Sequence, residues 1–333
     1  RLLFIQLFHI PMAHVTKNSA KMDELPPHLT LLEAAVAISE TLLPRPNHLT
    51  PGWCAAVASI LEATARKPGN VSPDKSFEDL SYDDLCSAAL AMVPALDQGK
   101  KTCLGKMIKD AVTSSRSKTR SNANLGIIIA ISPLAAASRS PRTLLRPTDA
   151  DTEIEQCNAK DSLDIYDAIK LSTAASLSQR DLYDIYGSAP VSIHDAMRYA
   201  ATTEPTDTIA ALWASGYQLL WDTLLCDLQH YEAHGAPWEQ TIILTALSQL
   251  ARTPDTLIIR RHGRPKAVQV SSEATAVLNL PHDKRQAAIK EFDWRLRHPC
   301  RINPGTTADL VAAALYVQLW NSNFHAFFND TLK

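Results

Sequence analysis

The chain has 333 residues and a formal net charge of −2 at pH 7, and 46% of its residues are hydrophobic but only 6% are aromatic. The near-neutral charge and the scattered aromatics exclude a general nucleic-acid-binding surface, so an anionic ligand would need a local cluster of cations. Abundant Ala and Leu favour packed helices over sheets. Six cysteines without CxxC spacing predict reduced thiols in a cytoplasmic protein, and no zinc site.

The first residues are predicted to lie outside the folded domain. They begin with an apolar stretch that is too short to span a bilayer and lacks the cleavage site of a signal peptide. Because the chain does not begin with Met, we interpret residues 1–25 as a disordered arm or a mis-called start. One folded domain is expected over residues 26–322, with no membrane segment.

The remaining chain shows helical periodicity and almost no pattern of period two. Thr50 followed by Pro51 predicts a helix start, and Ser81 with Asp84 predicts a capping box. The apolar run at 125–137 has no polar face and predicts a central, buried helix. The predicted helices cover residues 26–43, 51–66, 82–96, 103–117, 125–137, 161–176, 179–186, 192–202, 206–234, 236–251, 271–278, 283–297 and 306–321.

Three other segments carry weaker helical patterns. Residues 139–160 are rich in Pro, Asp and Thr and are predicted to form a surface loop. Residues 256–263 fit a short strand or a helix end, and residues 322–333 are expected to fray. The whole pattern predicts an all-α, single-domain, multi-helix bundle.

Four polar stretches at predicted helix boundaries each contain one of the ten glycines. In a helical chain with few glycines, such boundaries are the first places to look for a site. The stretches are KPGNV at 67–71, NANLG at 122–126, RRHG at 260–263 and NPGTTADL at 303–310.

In KPGNV, the proline ends the preceding helix near Arg66, and Pro68-Gly69 fits the centre of a type II turn. Lys67 and Asn70 would then flank a rigid turn, and a fixed cation pairs with phosphate at little ordering cost. The alternative is an ordinary helix stop with a solvated lysine.

In NPGTTADL, Asn303 lies in the turn, and Thr306 or Thr307 is predicted to cap the helix that follows. The free N–H groups of a helix N-terminus favour anions. Asp309 is therefore either a Mg²⁺ ligand beside a polyphosphate or the partner of Thr306 in an ordinary capping box.

The other two stretches also allow two interpretations. One of Asn122 and Asn124 would cap the apolar helix, which leaves the other for a ligand or a neighbouring turn. Arg260 and Arg261 suit a bidentate phosphate clamp or a solvated basic turn, and Asp255 lies at the helix junction before them.

Two further carboxylates are candidates whose role spacing does not decide. Glu62 either pairs with Arg66 at i,i+4 on the surface or faces a cleft as a base or metal ligand. Asp79, in the stretch FEDL, is a similar case.

Taken in this order, the four stretches resemble the signature of the triphosphoribosyl-dephospho-CoA synthase family. That signature has a KPG turn, an Asn-x-Asn or Asn-x-His element before a buried helix, an Arg/Lys-Gly element and a closing Pro-Gly-x-x-Ala-Asp-Leu. The resemblance covers about residues 50 to 320. It implies an all-helical pentosyltransferase, with a nucleotide site at helix ends, that uses ATP and 3′-dephospho-CoA. Such an enzyme releases adenine and forms 2′-(5″-triphosphoribosyl)-3′-dephospho-CoA, a prosthetic-group precursor.

The resemblance, combined with the demands of that reaction, implies roles for the candidate residues. A carboxylate helps an oxocarbenium-like state, a base activates the acceptor hydroxyl, and Mg²⁺ and cations bind the triphosphate. The implied catalytic residues are Glu62, Asp79 and Asp309, of which Asp309 and Asp79 would hold Mg²⁺. The implied substrate-binding residues are Lys67, Asn70, Asn122, Asn124, Asp255, Arg260, Arg261, Asn303, Thr306 and Thr307.

Two stretches depart from the pattern of the lyase-linked enzymes. NPGTTADL stands where those carry a Ser-Pro-Gly-Gly-Ser type, and SNANLG replaces the Asn-Thr-His form. These variants are closer to those of the family branch found in archaea and C1-metabolising bacteria. The alternatives are therefore a related phosphoribosyl-type enzyme of C1 or pterin cofactor metabolism with a different acceptor, and a non-catalytic helical binding protein. The expected partners are small nucleotides, without nucleic acid or membrane, and a homodimer is left open.

Overall fold

A computed structural model describes residues 25–42, 45–98, 102–119, 123–138, 143–172, 182–203 and 207–329. Within these residues the chain is helical, with two isolated β-bridges at 72–75 and 77–80 and no strand. The all-α, single-domain prediction is therefore confirmed. The predicted N-terminal arm lies outside the described residues except for Leu25, so that boundary stays a prediction.

The helices are numbered in chain order. They are α1 Leu31–Thr41, α2 Pro51–Thr64, α3 Tyr82–Ala91, α4 Val93–Leu96, α5 Leu104–Arg116, α6 Leu125–Ala137, α7 Pro147–Glu155, α8 Ala159–Ser172, α9 Ile193–Thr202, α10 Thr208–Ala214, α11 Gln218–Leu220, a π-helical turn Trp221–Leu225, α12 Cys226–Ala233, α13 Trp238–Arg252, α14 Thr256–His262, α15 Arg264–Leu278, α16 His282–Arg297, α17 Gly305–Asn321 and α18 Phe324–Asn329.

The predicted caps of α2 and α3 are confirmed. The Thr50 hydroxyl accepts a hydrogen bond from the backbone N–H of Trp53 at 3.2 Å. Ser81 and Asp84 exchange both bonds of a capping box, since each side chain accepts from the other residue's N–H. These side chains satisfy N–H groups that have no partner inside their helices, which fixes where the helices begin.

The apolar helix α6 is buried from Ile127 to Leu134, as its composition predicts. Pro133 lies inside it and has no N–H to donate to the carbonyl of Ile129. The indole of Trp213, in α10, donates to that carbonyl at 3.2 Å, and the next carbonyl accepts from the Tyr217 hydroxyl at 2.7 Å. The Trp213 indole thus takes the place of the backbone donor that Pro133 lacks, and the Tyr217 hydroxyl adds a second bond to the same helix.

Several element predictions are wrong in the middle of the chain. The loop expected at 139–160 contains α7, which begins at Pro147, a residue suited to the first helical turn. Residues 182–186, expected to be helical, are not, and Tyr183 has a φ of 57°. The helix predicted over 206–234 is interrupted at Gly216 and Tyr217, whose φ values of 55° and 65° leave the helical region.

Predictions also fail near the end of the chain. Of the two alternatives for residues 256–263, the structure shows a helix, α14, that ends at His262. Helix α15 begins at Arg264 instead of 271, with Pro265 in its first turn. The segment predicted to fray contains helix α18. Helix 82–96 divides at Met92, because Pro94 has no N–H to continue the ladder.

Two apolar clusters organise the packing. The larger includes α2, α6 and the C-terminal helix α17, and the smaller lies among α13, α14, α15 and α16. Helix α13 serves both, with Trp238 and Ile242 in the larger cluster and Leu247 and Leu250 in the smaller. No helix in the described ranges is both long enough and apolar enough to cross a bilayer.

Candidate active site

All four glycine-marked stretches contribute to one cavity of about 1960 Å³. This brings together residues that lie up to 239 positions apart, between Asn70 and Asp309, at the ends of different helices. The predicted site residues that line it are Glu62, Asn70, Asp79, Asn124, Arg260, Arg261, Asn303, Thr306 and Asp309. Asn122 lies outside the described residues.

The two Pro-Gly turns pack directly against each other. Asn70 N–H donates to Lys67 C=O at 3.2 Å, and Gly69 has a φ of 77°, as a type II turn requires at its third residue. A Cβ on Gly69 would lie 2.7 Å from the carbonyl oxygen of Ile302. The Asn70 amide donates to the Asn303 side-chain oxygen at 2.8 Å. The two turns therefore form one rigid wall of the cavity.

Lys67 is placed differently from the expectation that it meets phosphate. Its side chain is 1% exposed and does not line the cavity. The ammonium pairs with the Glu62 carboxylate at 2.8 Å and also donates to the carbonyls of Glu62 and Ala65. These three contacts match its three protons, so no donor is left for a ligand. Arg66, the alternative partner expected for Glu62, pairs with Asp74 and Glu239 instead.

Glu62 is buried in α2 and lines the cavity. Burial raises the pKa of its carboxyl group, and the charge of Lys67 acts in the opposite direction. A carboxylate in this setting needs a counter-ion, because an isolated buried charge is costly. Lys67 is thus the residue that allows a charged Glu62 at the cavity.

Asp309 lies on α17 against the N-terminus of α6. A Cβ on Gly126 would lie only 1.9 Å from an Asp309 carboxylate oxygen, so glycine is required for this approach. Burial, followed by the charges of Glu62 and Asp255, raises the pKa of Asp309 well above its ordinary value. Arg260 and the N–H of Ile127 act in the opposite direction. The cavity therefore holds two buried carboxyl groups, Glu62 and Asp309, that are close enough for the charge of one to raise the pKa of the other.

Asp255 and Thr307 are structural, which corrects their assignment to substrate. The buried Asp255 carboxylate accepts from two N–H groups at the start of α14 and from the N–H and hydroxyl of Thr307 at 2.7 and 2.8 Å. It joins two helix N-termini, and neither residue lines the cavity. The predicted cap of α17 by Thr306 or Thr307 is also wrong, because α17 begins at Gly305 without a side-chain cap.

Asn124 does not cap α6 either. Its φ of 66° places it in the left-handed region that asparagine tolerates, and its side-chain amide donates to the carbonyl of Leu85 at 3.2 Å. The residue lines the cavity in this fixed orientation. The N–H groups at the start of α6 are thus left to face Asp309 rather than an asparagine side chain.

A group of arginines lines the same cavity. Arg260 pairs with Asp207, whose carboxylate also caps α10. Arg261 is exposed and has no hydrogen-bond or ion-pair partner within the described part of the chain. Arg264 and Arg301 are further cavity residues. Guanidinium groups in such a cluster are the usual partners of phosphate oxygens.

Asp79 is 61% exposed and pairs with Arg301, whose guanidinium stacks on the ring of Phe77 at 3.7 Å. It is thus engaged with a cation, and the structure provides no contact between it and Asp309. No group of three or more His, Cys, Asp or Glu in the described ranges is arranged to hold a metal ion alone. The expected joint binding of Mg²⁺ by Asp79 and Asp309 stays a prediction.

Sequence reasoning missed Asp207, Arg264 and Arg301. Arg301 stands two positions before Asn303, so extending that motif backwards could have found it. Asp207 carries no such signal, because its partner Arg260 is 53 positions away.

The family model described as ATP:dephospho-CoA triphosphoribosyl transferase matches residues 49–326. The chain belongs to this family. It is 31% identical over 136 residues to a protein of Pectobacterium carotovorum subsp. carotovorum (strain PC1) named "Probable 2-(5''-triphosphoribosyl)-3'-dephosphocoenzyme-A synthase". That match covers 41% of this chain and 42% of the relative.

The fold is also similar to that of a solved structure. A crystal structure assigned as a triphosphoribosyl-dephospho-CoA synthase from Archaeoglobus fulgidus superposes with a TM-score of 0.54 at 19% identity. The match covers 71% of this chain and 98% of the other. At this identity the likeness supports the helical fold alone.

Proposed function

We propose that this chain transfers the triphosphoribosyl unit of ATP to a ribose hydroxyl of 3′-dephospho-CoA, with release of adenine. The observation that carries the proposal is that the four family stretches meet at one cavity, where the carboxylates of Glu62 and Asp309 and the arginines at 260 and 261 are brought together. A typical ligand pocket encloses about 300–1000 Å³, so a cavity of about 1960 Å³ has room for two nucleotide substrates.

The reaction breaks the bond between C1′ of the ATP ribose and N9 of adenine, and forms a bond from C1′ to the acceptor oxygen. Adenine leaves with the bonding electron pair, and the hydroxyl proton moves first to a base and finally to adenine. We assign the base to Glu62, because its carboxyl group lines the cavity and is paired with the ammonium of Lys67, which favours the charged form. Nearby negative charge also favours the oxocarbenium-like state at C1′.

The triphosphate is assigned to the arginines of the cavity. Arg261 has no internal partner among the described residues, and Arg260 is oriented by Asp207. Bidentate guanidinium contacts would hold the phosphate oxygens and fix the ribose relative to the carboxylates. Asn70, Asn124, Asn303 and Thr306 line the same cavity and are assigned to positioning the nucleotides, as Asn122 is by the family signature.

Mg²⁺ is the cofactor that the donor set fits. Asp309 is a deeply placed carboxyl group beside two other acidic residues, Glu62 and Asp255. Of the nearby cations, Lys67 is paired with Glu62 and Arg260 with Asp207, so neither is paired with Asp309. Mg²⁺ commonly uses one or two carboxylates and takes its other ligands from phosphates and water. Asp309 would hold it, and the ion would supply charge neutralisation for the triphosphate.

Adenine release tests the proposal. The protein is incubated with ATP and Mg²⁺, with and without dephospho-CoA, and adenine is quantified by chromatography. Release that requires dephospho-CoA supports the proposal, and the Glu62→Gln variant should then lose it. Release only with another acceptor would support the related phosphoribosyl-type enzyme, and no nucleotide binding would leave a helical binding protein. A cytoplasmic location and a homodimer stay predictions.

A further inference from the structure

One side of the cavity is apolar, and much of it comes from a single helix face. Ile193, Ala196, Met197 and Ala200 all line the cavity from α9. They follow one another at spacings of three, one and three residues, which places them on the same helical face. In a helix at the protein surface, such a stripe normally packs against other protein elements. Here part of it faces a space large enough for a ligand.

Residues of helix α8, together with Tyr183, extend this surface. Tyr166 and Ile169 of α8 line the cavity together with Tyr183. Tyr183 has a φ of 57°, which is unusual for an aromatic residue. The Tyr166 hydroxyl donates to the Tyr183 carbonyl at 3.0 Å, and the Tyr199 ring packs edge-on at 5.6 Å. Strained residues of this kind persist where surrounding contacts hold them, and they concentrate at ligand sites.

We call the six residues Tyr166, Ile169, Tyr183, Ile193, Met197 and Ala200 the apolar wall. This wall adjoins the arginines through α10. Ile209 and Ala210, in the first turn of α10, line the cavity, while Asp207, the cap of the same helix, binds Arg260. A ligand that contacts both regions would therefore combine a phosphate-bearing part with an extended apolar part.

We propose that the apolar wall binds the pantetheine arm of the acceptor, while the adenosine diphosphate part of the acceptor lies toward the arginines. The inference rests on the proposed function for the identity of the acceptor. Dephospho-CoA consists of adenosine diphosphate joined to pantetheine, which carries methylene groups and two geminal methyl groups, whereas ATP has no such arm. The wall would thus distinguish the acceptor from the donor by apolar contact, which nucleotide recognition by arginines alone does not do.

Calorimetry with dephospho-CoA and with ADP isolates the contribution of the arm. Both titrations are made in saturating Mg²⁺ and carbocyclic ATP, which fills the donor site but lacks the ring oxygen needed for an oxocarbenium-like state. The wild-type protein is expected to bind dephospho-CoA at least about tenfold more tightly than ADP, because burial of several methylene groups is worth that much. Ala200→Trp, which fills the wall, should remove this advantage without changing the affinity for ADP.

Thr202→Trp is the matched control, since Thr202 is exposed on the same helix and does not line the cavity. It should keep the full advantage. If Ala200→Trp does not fold, as judged by circular dichroism, Met197→Gln replaces it, because it keeps the side-chain volume and adds an amide. That variant should reduce the advantage by about threefold or more.

Two results would overturn the inference. One is a wild-type protein that binds dephospho-CoA no better than ADP, and the other is a folded wall variant that keeps the full advantage. Failure of the proposed function is a different result. A protein that shows the advantage and loses it with Ala200→Trp, yet releases no adenine, would keep the pantetheine site and contradict the transferase.

Discussion

Lys67 and Arg261 look alike in the sequence, yet their environments are opposite. Both are cations near the end of a helix, two positions before a glycine with a positive φ. Lys67 is buried, paired with Glu62 and does not line the cavity, whereas Arg261 is exposed and lines the cavity. A basic residue beside a glycine therefore indicates a helix end but does not show where its charge is directed.

The difference follows from the carboxylate that precedes each cation. Glu62 lies in α2, a helix that is buried from Gly52 to Thr64, so its charge requires an internal counter-ion. Asp255 precedes Arg261 but is already satisfied by N–H groups of α14 and by Thr307. No buried carboxylate among the described residues therefore requires Arg261 as a counter-ion, which is why we assign its guanidinium to a ligand.

The largest effect on activity is expected from replacing Asp309, which lines the cavity. Asp309→Asn should lower the rate of adenine release by about a thousandfold, since it removes the carboxyl group assigned to Mg²⁺. Single-turnover rates with saturating ATP measure this effect. Asp79→Asn is the matched control, because Asp79 is exposed, and a smaller loss there would separate the two carboxylates.

The same substitution should raise the stability of the protein relative to wild type, by an amount that depends on pH. The folded-state pKa of Asp309 is raised above its ordinary value of 3.8, mainly by burial. As pH rises above about 4, the unfolded chain releases this proton while the folded protein retains it, so the wild type loses stability until pH passes the folded-state pKa. Asp309→Asn should therefore become progressively more stable than wild type over that range. An equal difference at all pH values in urea unfolding would contradict this.

Lys67→Met tests the buried cation of the two. It leaves Glu62 buried without its counter-ion, so the free energy of unfolding at pH 7 should fall by about 3–5 kcal/mol. The loss should shrink toward pH 5, because protonation of Glu62 removes the unpaired charge. Urea denaturation measures both values.

Two controls separate this effect from the loss of any lysine. Lys75→Met removes a half-exposed lysine from Asp293, which keeps its pair with Arg297, and should cost less than about 1 kcal/mol. The double variant Glu62→Gln with Lys67→Met should recover at least half of the loss, since no charge remains buried. A double variant as unstable as Lys67→Met would show that packing, rather than charge, explains the effect.

Gly126→Ala tests the close approach that places Asp309. The added Cβ would lie 1.9 Å from a carboxylate oxygen, so either Asp309 or α6 must move. We expect the free energy of unfolding to fall by about 1–3 kcal/mol. The activity of the folded protein should also fall, because Asp309 is displaced from its position. Gly235→Ala is the comparison, because a Cβ there meets no atom within 4 Å, although its φ of 75° makes alanine strained. Unchanged activity in folded Gly126→Ala would contradict the assignment.

Arg261→Ala tests the exposed cation and should have the smallest effect. Loss of one charged hydrogen-bond donor to phosphate should weaken nucleotide binding about tenfold or more, while stability stays within about 0.5 kcal/mol of wild type. Arg198→Ala, an exposed arginine of α9 outside the cavity, is the control and should change neither quantity. A large loss of stability in Arg261→Ala would show that this arginine is also structural.

The sequence allowed prediction of the helices with strong periodicity or clear caps, and of the four stretches that form the site. Helix α6 and the caps at Thr50 and Ser81 depend on local chemistry, so local patterns identify them. The role of Lys67 could not be predicted, because it depends on the burial of Glu62, which tertiary packing decides. Likewise, Asp207 reaches Arg260 only through the fold.

The most direct test of the account is the affinity for Mg²⁺ and carbocyclic ATP, measured by calorimetry for two variants side by side. We predict that Glu62→Gln with Lys67→Met binds within about threefold of wild type, because Lys67 does not reach the cavity and Glu62 is assigned to the acceptor hydroxyl rather than to ATP. Arg261→Ala should bind about tenfold or more weakly. The reverse order, with affinity lost in the double variant and retained in Arg261→Ala, would contradict the assignment of Lys67 to a structural role and of Arg261 to phosphate.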